Sequence, residues 1–77
     1  MFHVYAIKSL NHNYIYVGLT KSVPERVKRH NDGREKTTKF YRPFQLIHSE
    51  SFLTRPEARE REKYLKSGVG KEFLKRK

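Results

Sequence analysis

The pattern Ser/Thr-x-Pro-Glu occurs twice, as Ser22-Val23-Pro24-Glu25 and as Thr54-Arg55-Pro56-Glu57. A hydroxyl at the N-cap, a proline in the first turn and a glutamate at the third helical position match a helix start on both occasions. Two helix origins are thereby placed, and the segments ahead of them have to supply the surface they pack on. Those segments are rich in β-formers: Phe2–Ser9 (FHVYAIKS), Tyr14–Thr20 (YIYVGLT) and Phe44–Phe52 (FQLIHSESF). Between the first two, LNHN is a polar connection of hairpin type. The first helix is expected to end near Gly33, behind Asn31-Asp32, and the second at Ser67-Gly68. Gly70–Lys77 reads as a short basic helix or a frayed tail. The order is β-β-α-β-α-α, an α+β class. We expect one domain over residues 1–77, a small three-stranded antiparallel sheet flanked by helices.

Eighteen Lys and Arg against eight Asp and Glu give a formal net charge of +10. A domain so basic repels itself and gains affinity for polyanions. Nucleic acid is the first candidate, because neutralised phosphates release counterions. With no cysteine, neither a disulfide framework nor a thiolate metal site is available, which fits a reducing cytoplasm. No stretch approaches a membrane span, Phe2–Ile7 is too short for a secretory leader, and no membrane partner is expected.

The candidate chemistry lies where the first hairpin meets the first helix. With Asn11-His12 as the loop, odd positions of the first strand oppose even positions of the second. Tyr5 and Tyr16 then share one face, and Tyr5 sits opposite Gly18, which leaves room above the phenol. On the first helix Val23, Arg26, Val27 and His30 fall at i, i+3, i+4 and i+7, all on one face. An inward arginine can hold a phosphate with its fork, and His30 one turn on can donate to the same phosphate or shuttle a proton. The alternative is an Arg stem covering apolar surface and a His capping the helix end. On the second helix Ala58, Arg61, Glu62 and Leu65 form the same stripe. An inward Glu62 is costly unless it pairs with an arginine or binds a metal such as Mg²⁺. The loop Gly33–Pro43 is basic; Phe40 and Tyr41 in it either stack on an unpaired base or pack back onto the core.

Two tyrosines, an inward arginine and an inward glutamate on successive elements resemble the GIY-YIG nuclease superfamily, most closely its small stand-alone bacterial members. His3-Val4-Tyr5 stands at the first motif and Tyr16-Val17-Gly18 at the second. The shared segments are YVGLT, ERVKRHNDG, TTKFYRPF, RPEARERE and YLKSG, which cover nearly the whole chain. His3 and Val4 replace the glycine and isoleucine of the name motif, so its tyrosine alone survives.

The resemblance implies single-metal phosphodiester hydrolysis. Glu62 would hold one Mg²⁺ or Mn²⁺, and Tyr5 would be the general base toward water, as a phenolate if neighbouring positive charge lowers its pKa. Tyr16 would orient water or phosphate, Arg26 would neutralise transition-state charge, His30 would contact the phosphate or support the site, and Gly18 would be structural. The expected DNA is recognised by shape, as branched, nicked or single-stranded DNA in repair or processing, with a protein partner supplying specificity. Lys21, Arg29, Arg34, Lys36, Lys39, Tyr41 and Arg42 are expected to contact it. The competing expectations are a non-catalytic nucleic-acid-binding module on the same fold, and a docking role for Gly70–Lys77.

Overall fold

The computed structural model describes residues 1–77. Its elements are β1 (Phe2–Ser9), β2 (Ile15–Thr20), α1 (Val23–Asn31), β3 (Phe44–Phe52), α2 (Arg55–Lys66) and α3 (Gly68–Lys75), with one 3-10 turn at Lys39–Tyr41. The sheet is antiparallel in the order β2-β1-β3. β1 is therefore the central strand, and Val4, Tyr5, Ala6 and Ile7 are all fully buried. A strand covered on both faces loses the apolar–polar alternation of a half-exposed one. Val4, Ala6 and Val17 pack with Ala58, Leu65 and Leu74 beneath α2 and α3. Tyr5, Ile7 and Phe44 pack on the other face with Tyr14, Tyr16, Val23, Val27 and Tyr41, beneath α1 and the basic loop.

β3 feeds both layers although Phe44 and Phe52 have the same parity. The register against β1 shifts between Ala6 and Ile7: Ala6 pairs with His48, and Ile7 with Leu46. This bulge turns Phe44 toward α1 while Phe52 packs toward α2.

The two helix starts differ. At α2, the Thr54 hydroxyl accepts the Glu57 N–H at 3.4 Å and donates to the Glu57 carboxylate at 2.9 Å. At α1, Ser22 is the N-cap but its side chain caps nothing. Thr20 occupies the turn instead, its hydroxyl accepting the Ser22 N–H at 3.1 Å and donating to the Ser22 carbonyl at 3.3 Å. The far end of α1 closes on Gly33, whose φ of +77° only glycine adopts freely. The Gly33 N–H reaches the His30 carbonyl and the Arg34 N–H the Arg29 carbonyl, which satisfies two helix-end acceptors.

The C-terminal segment is helical and not frayed. It forms α3 from Gly68 onward, with the Ser67 hydroxyl accepting the Gly70 N–H. Leu74 is 1% exposed in the core, and a Cβ on Gly70 would lie 2.1 Å from the Tyr64 carbonyl oxygen. The segment is tied down by packing, which charge counting along the sequence does not register.

Candidate active site

β1 and β2 pair with Tyr5 directly opposite Gly18. The Tyr5 ring lies over that glycine so closely that a Cβ there would come within 2.6 Å of the phenol oxygen. The rings of Tyr5 and Tyr16 share a face, with centroids 6.3 Å apart. α1 lays His30 against both, at 5.9 Å from the Tyr5 ring and 4.9 Å from the Tyr16 ring. The Tyr5 hydroxyl and His30 Nε2 are 2.8 Å apart, and His30 Nδ1 is 2.7 Å from the Thr38 hydroxyl. Tyr5 and Thr38 are fully buried and His30 is 1% exposed. A neutral imidazole has one donor and one acceptor nitrogen, and the rotating hydroxyls on either side satisfy both tautomers. Thr38 escapes a reading of the basic loop by charge; its place beside His30 exists only because the loop folds back under α1.

Burial pushes the Tyr5 phenol up to about 12, against the downward pull of the neighbouring Arg26 guanidinium. The condition set for a phenolate, a pKa lowered by neighbouring positive charge, is not met at rest: desolvation of the anion outweighs one nearby cation. Burial also lowers the pKa of His30, reinforced by Arg26 and Arg29 and opposed by the Glu35 carboxylate. At neutral pH the pair is phenol and neutral imidazole. Arg26 is half-buried, and its Nε is a buried donor without an acceptor. An unpaired guanidinium N–H beside a tyrosine cluster is a place for an anionic oxygen.

These shifts set the response to acid. The unfolded chain protonates His30 near 6.5 while the folded chain resists, so the unfolded state binds more protons and stability falls as pH drops below that value. Glu50 adds to the loss at lower pH: burial raises its pKa, but hydrogen bonds from His48 and Arg61 outweigh that and hold it below the usual range. The thermal midpoint is expected to fall steadily between about pH 7 and about pH 5. A midpoint constant across that range would contradict the buried neutral His30.

Glu62 lies on α2 between the core residues Ala58 and Leu65, so its helix packs on the sheet face away from Tyr5. The residue is 8% exposed. Its oxygens are met by the ends of two long exposed side chains, Lys66 at 3.3 Å and Arg59 at 3.9 Å. The expected pairing with an arginine thus exists, but it is long and shared with a lysine. Arg61 turns instead to Glu50, holding both carboxylate oxygens at 3.1 and 2.9 Å. No group of three or more His, Asp or Glu side chains gathers to hold a metal. Glu62 alone fits Mg²⁺ or Mn²⁺ as one hard oxygen ligand whose present partners can swing into solvent, the remaining ligands being water and phosphate. Lys66 links it to the tyrosine side, since it also lines a cleft with Tyr16 at the free edge of β2.

The residues expected to touch nucleic acid divide. Lys36, Lys39 and Arg42 surround Phe40 at an open cleft of about 510 Å³. Arg34 is exposed. Arg29 is held by Glu35 at 2.9 Å, Lys21 lies over the Phe2 ring, and Arg42 donates to the Lys39 carbonyl. The two loop aromatics separate: the one expected to touch DNA, Tyr41, packs back, and Phe40 stands outside. Tyr41 stacks on Tyr14 with centroids 3.9 Å apart and is half-buried, whereas Phe40 is 73% exposed. The Ser9 hydroxyl fixes this by donating to the Tyr41 carbonyl at 2.6 Å, which draws Tyr41 onto the hairpin and leaves Phe40 outside.

The family model of the GIY-YIG catalytic domain matches residues 1–76. The chain belongs to the GIY-YIG family. This GIY-YIG chain is 43% identical to UPF0213 protein YazA of Bacillus subtilis over 83% of its own length and 66% of the relative, so it spans just under two thirds of YazA. It is 38% identical to UPF0213 protein SERP0126 of Staphylococcus epidermidis, over 94% of this chain and 88% of that one. Among solved structures it is similar to the UPF0213 protein BH0048 from Bacillus halodurans, with a TM-score of 0.57 and 32% identity over 96% of this chain and 82% of that one. The GIY-YIG fold of three antiparallel strands with helices on both faces is the one described above, and the domain name points to nuclease chemistry. No helix is long and apolar enough to cross a membrane.

Proposed function

We propose that residues 1–77 act as one domain, a metal-dependent DNA endonuclease or nickase that selects DNA shape over base sequence in cytoplasmic repair or processing. The observation that carries this reading is the buried chain Tyr5–His30–Thr38 beside an Arg26 donor that lacks an acceptor. Arg26 turns its guanidinium from the phenol to a scissile phosphate and holds its oxygens. The Tyr5 oxygen then accepts a proton from the attacking water while its own proton passes to His30 Nε2. The resulting imidazolium donates from Nδ1 to Thr38, which restrains the ring. His30 offers a free ring nitrogen for that proton, because burial disfavours the charged imidazolium and keeps the ring neutral. Tyr16, half-buried at the rim, orients water or phosphate. A Mg²⁺ or Mn²⁺ ion on Glu62, when bound, supplies charge stabilisation at the phosphate. So small a domain offers little surface for reading bases, which favours branched, nicked or single-stranded DNA and a protein partner that presents it.

Two observations favour a second reading. Tyr5 is fully covered and Glu62 is already paired, which suits a nucleic-acid-binding module without turnover. Supercoiled plasmid and branched or nicked oligonucleotides, incubated with Mg²⁺ or Mn²⁺ against EDTA, separate the two. Cleavage that needs metal and falls by at least about a hundredfold in Glu62→Gln supports the nuclease. Salt-sensitive binding without cleavage, equal in both proteins, supports the module.

A further inference from the structure

We infer that the free edge of β2 and the facing side of α3 form a track for a phosphodiester strand, leading to Tyr16 and gripped by Lys66, Lys71 and Lys75. The inference rests on the nucleic-acid reading above and names where the strand runs. β2 pairs only with β1, so its outer edge presents backbone donors and acceptors with no partner. Two clefts adjoin along it, of about 200 and 270 Å³. Both are lined by Tyr14, Ile15 and Lys71; the first adds Lys75, the second Tyr16 and Lys66. The clefts therefore form one path past the rim of the candidate site.

The cations are placed by the core. Gly70 and Leu74 are buried on the inner side of α3, so the residue after each, Lys71 and Lys75, turns toward the edge four positions apart. Lys71 enters no ion pair. Lys75 has only a 3.9 Å contact to the exposed Glu72. Lysines that merely guard a free edge sit on the strand itself. These reach across from a helix and leave a channel between, bordered by the unpaired strand edge and aromatic rings, which suits phosphates and sugars. At its inner end Lys66 binds Glu62 at 3.3 Å, and a phosphate in the track competes for that ammonium and releases the carboxylate. The sequence pattern directed attention to the loop Arg34–Arg42 instead, because the α3 lysines are ordinary in a basic chain until the fold sets them opposite β2.

The test is fluorescence-anisotropy binding of a labelled oligothymidine and a duplex of equal length across a salt series, using the full chain, Lys71→Ala/Lys75→Ala, and Lys63→Ala/Arg76→Ala as a charge-matched control. The track variant is expected to lose about tenfold in affinity and to flatten the log–log salt slope by roughly 1.5, near 0.7–0.9 per lost contact. The control should change less than about threefold. Amide shifts on adding the oligothymidine should concentrate at residues 13–17 and 66–75. Equal losses in both variants, or shifts confined to residues 34–42, would overturn the track while leaving nucleic-acid binding intact. If the unaltered chain binds neither oligonucleotide, the functional reading falls and the track with it. Binding of an extended peptide at the edge in place of DNA would also overturn it.

Discussion

Tyr5→Phe is expected to lower DNA nicking by about two to four orders of magnitude while leaving DNA affinity within about twofold. The ring stays packed over Gly18, so the substitution removes one oxygen and little shape. Without the hydroxyl, which stands 2.8 Å from His30 Nε2 in the unaltered chain, water has no proton acceptor on the path to that nitrogen. The buried ring nitrogen loses its partner, which costs about 1–3 kcal/mol of stability, so the thermal midpoint is measured alongside. Gly18→Ala is the companion variant, because it keeps the hydroxyl and displaces it. An added Cβ would stand 2.6 Å from the phenol oxygen and 2.8 Å from the ring carbon that bears it, so the ring has to leave His30. Nicking should fall in both variants. Full activity in folded Tyr5→Phe would remove Tyr5 from the chemistry.

The second large effect is on folding. Leu74→Ala is expected to cost about 2–5 kcal/mol, as for other buried leucines. For a chain of this size that is a large share of a total near 4–12 kcal/mol, and the thermal midpoint should drop by about 8–40 °C. Deleting Gly70–Lys77 removes Leu74 and uncovers Leu65 and Ala58, so the truncated chain should show no cooperative unfolding transition by circular dichroism. A truncated protein that melts like the full chain would return the segment to the role of a dispensable tail.

Much of this arrangement follows from local rules. The even-length hairpin connection sets Tyr5 opposite Gly18 and beside Tyr16, and the i, i+3, i+4, i+7 stripe turns Arg26 and His30 inward. The two Pro-Glu helix starts stand where their spacing puts them. What escaped depends on distant contacts. The bulge on β3 sets Phe44 and Phe52 on opposite faces, and no alternation within FQLIHSESF announces it. Thr38 reaches His30, and Asn31 holds the backbone of Phe44 with bonds of 2.6 and 3.3 Å, through a loop whose composition reads only as basic. The pKa of Tyr5 follows from how completely β2, α1 and the loop enclose it, a quantity no residue spacing contains. The helical stripe turns Glu62 inward, yet its layer relative to Tyr5 depends on the order β2-β1-β3.

The hairpin between Ser9 and Ile15 carries a constraint on sequence drift within the family. Side chains alternate across a sheet, so adding or removing a single residue there, without a compensating bulge, would send Tyr16 to the α2 face and bring Ile15 or Val17 against His30. Changes of two residues preserve the arrangement. Lineages that keep the tyrosine pair in working order should therefore tolerate length changes in this loop by twos, whatever its amino acids become.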